Sequence, residues 1–382
     1  MSYKPLAGTR VLDLGILIPP AVVSNKLVAL GADVVKVERP GTGDRIRAVP
    51  PLDSAGASSQ HMGYDWGKRS VALDLKTEEG IADFHRLAAK ADVIVENQLA
   101  GYWASAGIDF EELRRRRPEL IVCSITAFGQ TGPLAALPSH GLNMDALADA
   151  VNIVDIDGEP RLGWAYTGIG NELGAANAAV AVCAALAQVR SGGEGAWIDI
   201  SCWDALVESH RTEILLSVRT GQKVDLHERT HGPLYDTYLS SDDKIVLIGA
   251  LEPKFWKNFC QGVGRPDLID HHNGTELDMG DDTEHLRKEL KSIFASAPAH
   301  EWDARFLAWD CPGCSVLRIP EVMEHPQFAA RELIEGLPGE WPLMRSAIRW
   351  HHIDERAGSS LPPPPQLGAD NTAVFREWAD SA

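Results

Sequence analysis

Short, nearly continuous apolar runs recur along the first two hundred positions, each followed by a longer stretch of helical periodicity. TRVLDLG reads as a buried strand, AVVSNKLVALG as a helix closed by Gly31, and ADVVKVERP as a second strand. SVALDLK, DVIVEN, LIVCSITAFG and AWIDIS continue the strands. EEGIADFHRLAAKA, FEELRRRRPE and a helix from about Glu172 to Arg190 lie between them. Strands that alternate with helices of this length predict a doubly wound, Rossmann-like α/β domain around a parallel sheet.

The pattern changes near Ser201. SCWDALVESHRTEILLSVRTGQ predicts one long helix leaving the sheet, and GPLYDTYLSSDDKIVLIGA an antiparallel hairpin turning at Ser-Asp-Asp. EPKFWKNFCQGVG and EHLRKELKSIFASAPAHEWDARFLAW read as helical, and CSVLRIPEVMEHPQF as strand and turn. The expected organisation is a large domain over residues 1–200, a linker helix over 201–225, a small α+β domain over 226–330, and a segment over 331–382 that returns to the large domain. The proline stretch in LPPPPQLGAD is expected to cross a surface rather than bind a proline-reading partner. No internal repeat interrupts this order.

Composition narrows the function. The chain has 382 residues and a net charge of −18, which argues against general binding to nucleic acid or to an anionic membrane. The basic run Arg114 to Arg117 reads as the solvated end of a helix. No signal-peptide core and no run of eighteen apolar residues is evident, so a cytoplasmic, reduced protein is expected. The six cysteines are scattered and form no disulfide framework. Cys311 and Cys314 share the spacing of a zinc half-site, but no second pair accompanies them, so a turn before a strand is the expectation and no metal is expected.

The candidate chemistry gathers where a glycine-bearing turn feeds the helix of WAYTGIGNELGAANAAVAVCAAL. Asn171 and Glu172 stand at that entry. An asparagine amide is neither a useful nucleophile nor a base. Glu172 is a carboxylate in the first helical turn, where the helix dipole favours its ionised form.

KPLAGTRVLDLG, LGADVVKVERPGTGDRIR, KRSVALDLKTEEG, ADVIVEN, ITAFGQTGP and SGGEGAWIDIS come in that order. Together they resemble the class III CoA-transferase (CaiB/BaiF) superfamily over nearly the whole chain. The resemblance implies coenzyme A, carried as an acyl-CoA substrate, in the large domain, and an interlocked homodimer whose small domain closes a neighbour's site. It assigns CoA-contacting positions to Ile18, Arg39, Lys76, Asn97 and Gln98; by their charge alone, Arg45, Arg47, Lys68 and Arg69 are expected to add positive field. Ser105 stands where the family often has an arginine.

Two chemistries follow from the resemblance. Transferases attack the thioester with an aspartate, whereas α-methylacyl-CoA racemases move the α-proton with a histidine and an aspartate. LPSHGLN places His140 where the racemase histidine stands, and the small domain places Glu252 on its supporting glutamate. An ungapped alignment puts Asn171 on the acid position, one residue before Glu172. The preferred expectation is α-proton transfer on a 2-methylacyl-CoA, with His140 and Glu172 as the bases and Asn171 holding the thioester oxygen. The alternatives are a CoA-transferase using Glu172 and a silent acyl-CoA-binding subunit paired with a homologue.

Overall fold

The computed structural model describes residues 3–163, 168–224, 231–278, 284–336, 340–350 and 361–380. Contacts divide the chain into two compact units, Met1–Leu215 with Glu332–Ala382, and Leu216–Arg331.

The first unit is built on strands β1 (Arg10–Asp13), β2 (Asp33–Glu38), β3 (Arg69–Ala72), β4 (Val93–Glu96) and β5 (Ile121–Thr126). A hairpin of β6 (Ile153–Ile156) and β7 (Glu159–Leu162) follows, then β8 (Trp197–Ser201). The six-stranded sheet runs β3-β2-β1-β4-β5-β8, with every pairing parallel. The α/β class with a parallel large-domain sheet is as the apolar runs predict.

Those runs are continuous because both faces are covered. Val11, Val34, Val93, Val95, Ile121 and Cys123 point to one core. Leu12, Val35, Ile94 and Val122 point to the other. Helices α1 (Ile18–Ala29), α7 (Ile169–Arg190) and α8 (Cys202–Ser209) cover the first face. Helices α3 (Glu78–Ala88) and α5 (Phe110–Arg116) cover the second, joined by Val374 and Trp378 from the C-terminal segment. Shorter helices α2 (Ser59–Tyr64), α4 (Tyr102–Ser105) and α6 (Gly141–Leu147) lie between.

The C-terminal segment closes the open edge of β3. Ser70 N–H donates to Asp370 Oδ2 at 2.8 Å, and Ala72 N–H donates to Asn371 Oδ1 at 2.9 Å. The proline stretch runs along this unit: Pro362 O accepts from Gly67 N–H at 2.9 Å, and Pro365 O from Arg47 at 3.1 Å.

Three local expectations need correction. The stretch after Ser201 is not one helix: α8 ends before His210, whose N–H turns back to Val207 O, and α9 (Arg211–Thr220) starts afresh. After a short strand, residues 319–330 form helices Ile319–Glu324 and Pro326–Ala330, each opened by a proline in its first turn. The basic run is only partly solvated, because Arg114 donates to Leu120 O and Gly195 O, and Arg117 to Ala88 O and Ala91 O. Helix α7 is long and apolar enough to cross a membrane by length and composition. Its buried residues Ala175, Ala178, Val182 and Leu186 pack into the core shared with α1 and α8.

The second unit has an antiparallel sheet of β9 (Tyr235–Leu239), β10 (Ile245–Gly249) and β11 (Gly313–Ser315), ordered β11-β10-β9. The hairpin turns at Ser-Asp-Asp as expected, with Asp243 at φ 57°. Helices α10 (Pro253–Gly262), α11 (Glu284–Phe294) and α12 (Ala299–Ala308) pack Trp256, Phe259, Phe294, Trp302 and Phe306 against the sheet. Buried Cys311 and exposed Cys314 flank the turn into β11.

Candidate active site

In an open parallel sheet, ligands sit beyond the carboxyl ends of the strands where the strand order reverses. Here that point lies between β1 and β4, the strands that start the two halves of the sheet. The loops that follow these strands are tied together. Asn97 Oδ1 accepts Ile16 N–H at 3.0 Å, and Asn97 Nδ2 donates to Ile16 O at 2.8 Å.

The turn over residues 15–17 is held at almost every polar backbone atom. Gly15 N–H donates to Asp13 at 3.0 Å, and Gly15 O accepts from Lys36 Nζ at 3.2 Å. Leu17 N–H donates to both oxygens of Asp44, at 3.1 and 3.2 Å. A side chain at residue 15 would place its Cβ 2.1 Å from Pro20 Cγ, so only glycine fits there. Pro19 and Pro20 remove two amides from the first turn of α1. Two of the four N–H groups that a helix start ordinarily offers an anion are therefore missing from α1.

Beneath this turn lies a network of buried charge. Lys36 Nζ stands 2.8 Å from Asp44 and 3.8 Å from Asp13. Lys68 Nζ stands 2.7 Å from Asp65 and 3.4 Å from Asp13. His61 Nδ1 meets Asp65 at 2.7 Å, and Arg47 forks onto Glu38 with two contacts of 2.7 Å. Burial opposes charge on Lys36, yet Asp13, Asp44 and Asp65 outweigh it and hold the ammonium above its ordinary range. Burial would likewise raise Asp65, but Lys68, His61 and Lys36 hold its carboxyl well below the usual carboxylate range.

These contacts sort the expected cations. Arg39 at the end of β2, Lys76 after β3, and Arg45 are exposed at the carboxyl ends of the strands. Arg47 and Lys68 are instead neutralised inside the network, and Arg69 is paired with Asp33 and Glu377. The positive field expected of these three is spent on internal carboxylates. Gln98 is placed by Glu96, whose carboxylate accepts Gln98 N–H and Trp103 Nε1–H, both at 2.7 Å. Burial holds the Glu96 carboxyl above its ordinary value despite those bonds. Ser105 is exposed at the end of α4, and Ile18 is half-buried at the start of α1.

Helix α7 begins at Ile169, three residues before the predicted start, because Gly168 takes the left-handed conformation that caps it. Gly170 N–H donates to buried Asp145 of α6 at 3.2 Å, which ties α6 to this entry. Asn171 is 4% exposed, whereas Glu172 is half-buried. The Tyr64 hydroxyl donates to Glu172 Oε1 at 3.2 Å. Burial, and then the adjacent Glu172 carboxylate, push the Tyr64 phenol up to about 12, so it stays a donor at neutral pH.

His140 is exposed at the residue before α6, its N–H donating to Asn143 Oδ1 at 2.9 Å. Glu252 occupies the corresponding place before α10, in the second unit. Neither unit by itself contains the expected histidine–glutamate pair. Among the described residues, no group of three or more His, Cys, Asp or Glu is placed to hold a metal ion.

Tyr64, Asp44, Lys36 and Glu96 are the site residues that the sequence pattern does not single out. Only Asp44 carried a signal: it precedes an Arg-x-Arg and caps that turn by accepting Ile46 N–H at 3.0 Å.

The sequence profile of CoA-transferase family III matches residues 6–371. The chain is 31% identical to succinyl-CoA:glutarate CoA-transferase of Mus musculus, covering 98% of this chain and 87% of that protein. It is 32% identical to succinyl-CoA:mesaconate CoA-transferase of Haloarcula hispanica, covering 86% and 84%. Among solved structures it resembles the hypothetical protein Rv3272 of Mycobacterium tuberculosis, with a TM-score of 0.83 at 28% identity, covering 98% and 100%. These curated relatives are transferases, which favours the transferase alternative over the proton-transfer reading.

Proposed function

The chain belongs to CoA-transferase family III, and from this we propose that it moves coenzyme A from an acyl-CoA to a free carboxylic acid, with Glu172 as the nucleophile. The observation that carries the reading is the entry of α7. The amide on the aligned acid position is buried, and the next residue is a half-buried carboxylate with one oxygen held by Tyr64.

The second Glu172 oxygen is the attacking atom. It adds to the thioester carbonyl and expels CoA as a thiolate, leaving a mixed anhydride. The thiolate then attacks the Glu172 carbonyl of that anhydride, releases the donor acid, and leaves a glutamyl-CoA thioester. The acceptor carboxylate attacks this thioester, and the returning thiolate takes the acceptor acyl group and frees Glu172. The Tyr64 hydrogen bond fixes the carboxylate rotamer, which lowers the entropy cost of attack.

Arg39 and Lys76 supply the cations for the CoA phosphates, since prolines take the place of two first-turn amides of α1. Succinyl-CoA is the donor class we favour and a second dicarboxylate the acceptor class, by analogy with the relatives' named substrates. The assembly we propose is a homodimer. Helix α9 buries none of its residues and exposes Ile214, Leu215, Leu216 and Val218, which a second copy would cover; light scattering reads that state.

The test is mass spectrometry of CoA esters after incubation with succinyl-CoA and glutarate, mesaconate or oxalate. New CoA esters are expected, with hydroxylamine trapping the glutamyl intermediate. Glu172→Gln should lower transfer by roughly 10³-fold or more. Full transfer by Glu172→Gln would overturn the assignment. Deuterium uptake at the α-carbon from heavy water, without transfer, would restore the proton-transfer reading through exposed His140.

A further inference from the structure

Leu17 adopts φ 62° and ψ −148°, a region that only glycine enters freely. Its neighbours Ile16 and Ile18 are also aliphatic; Ile16 is exposed and Leu17 and Ile18 are half-buried, beyond the carboxyl end of β1 where the strand order reverses. A strained residue persists only where its surroundings over-determine it.

Here the surroundings are two buried, oppositely charged side chains. Asp44 takes the Leu17 N–H with both oxygens, and Lys36, 1% exposed, takes the carbonyl of Gly15 two residues earlier. The two are joined to each other at 2.8 Å. The ion pair thus grips the turn from both ends, while Asn97 grips its middle. Lys36 lies on β2 and Asn97 directly follows β4, so two of the three restraints sit on or next to the sheet, and Asp44 is joined to the sheet through Lys36.

We propose that Asp44 and Lys36 are positioning residues for acyl-CoA: they hold the Leu17 turn in its strained shape and so form the wall against which the ligand lies. This rests on the reading above that the crevice takes CoA. Neither residue touches the ligand, and neither reacts. Their effect is to order the wall in advance, so that binding does not have to.

A double-mutant cycle tests this. Glycine adopts the conformation of residue 17 without strain, so Leu17→Gly removes the need for a restraint. The dissociation constant of CoA is measured by calorimetry, and the thermal midpoint recorded, for wild type, Asp44→Asn, Leu17→Gly and the double variant. Asp44→Asn should weaken CoA binding on the order of tenfold, the size of one strained-backbone penalty. In the Leu17→Gly background the same change should cost about twofold or less, because the two sites are coupled.

Equal costs in both backgrounds, or no cost in either, would overturn the proposal. If Asp44→Asn does not fold, Lys36→Gln with Asp44→Asn removes both charges and keeps a hydrogen-bonding pair, and the cycle is run on that. If wild type binds no CoA, the transferase reading fails on its own. The Asp44–Leu17 coupling is then read in the thermal midpoints, where its absence still sinks the clamp.

Discussion

Replacing Lys68 with methionine tests whether the buried charge network is a balanced unit. The Lys68 side chain is 0% exposed; its ammonium lies 2.7 Å from Asp65 and 3.4 Å from Asp13, and donates to Ala21 O at 3.2 Å. Methionine keeps the volume and removes the charge. Breaking a buried pair from one side costs about 3–5 kcal/mol, because the carboxylate left behind is uncompensated. The residual partners moderate this. Asp65 keeps His61, and Asp13 keeps Ser24 at 2.6 Å and Lys36 at 3.8 Å, which places the expected loss at about 3 kcal/mol. With a urea slope of about 3 kcal/mol per molar for a unit of this size, the midpoint should fall by about 1 M.

The pH dependence should also flatten. In the wild type Asp65 is held low, so its contribution is present above the unfolded-state value and is lost as pH falls. Without Lys68 only His61 and Lys36 still hold the carboxyl down against burial, so the acid-sensitive contribution of Asp65 should shrink in the variant. Lys68→Met with Asp65→Asn should recover most of the loss. A midpoint shift below about 0.3 M, or an equal shift in the double variant, would refute the reasoning.

Acidification of the wild type should destabilise it below about pH 4.5, where unfolded carboxylates take up protons. Glu38 belongs to the same group as Asp65: burial raises it, but Arg47, Ser70 and the Asp44 N–H outweigh that and hold it low. Thermal midpoints that stay flat from pH 7 to pH 4 would contradict this. Arg39→Glu with Lys76→Glu should weaken CoA binding and make what remains less sensitive to salt, since both exposed cations are assigned to phosphates. Unchanged affinity in calorimetry would remove them from the site.

The sheet was legible because burial on both faces leaves a continuous apolar signature. Val34 and Val35 serve opposite cores, so every residue of such a strand has a reason to be hydrophobic. The hairpin of β6 and β7 went unread although Asp157 and Gly158, at φ 58° and 80°, are the dipeptide that such turns prefer. Its strands are largely exposed, so burial leaves little trace in them. The charge sorting was not legible at all. Arg39 and Arg47 look alike in sequence; only the fold turns one to solvent and the other onto Glu38. The Tyr64–Glu172 contact joins residues 108 positions apart, and no periodicity can announce it. What the residues themselves offered at the helix entry was the chemical contrast between an amide and a carboxylate, and the structure adds that the carboxylate is the more accessible of the two.

The closure of the β3 edge has a consequence for biosynthesis. Ser70 leaves the ribosome early, but Asp370, which pairs with it, follows 300 positions later. At about 5–20 residues per second, that is a wait on the order of 15–60 s. During it the nascent sheet carries an unpaired edge, a template for strand addition by any neighbouring chain. The second core also lacks Trp378, and the entire second unit is synthesised before either gap can close. Contacts this distant in sequence are slow to form even in a released chain. A translation product cut short anywhere before residue 370 would therefore keep both defects. Only a polypeptide that extends through Trp378 hides the edge and fills the core.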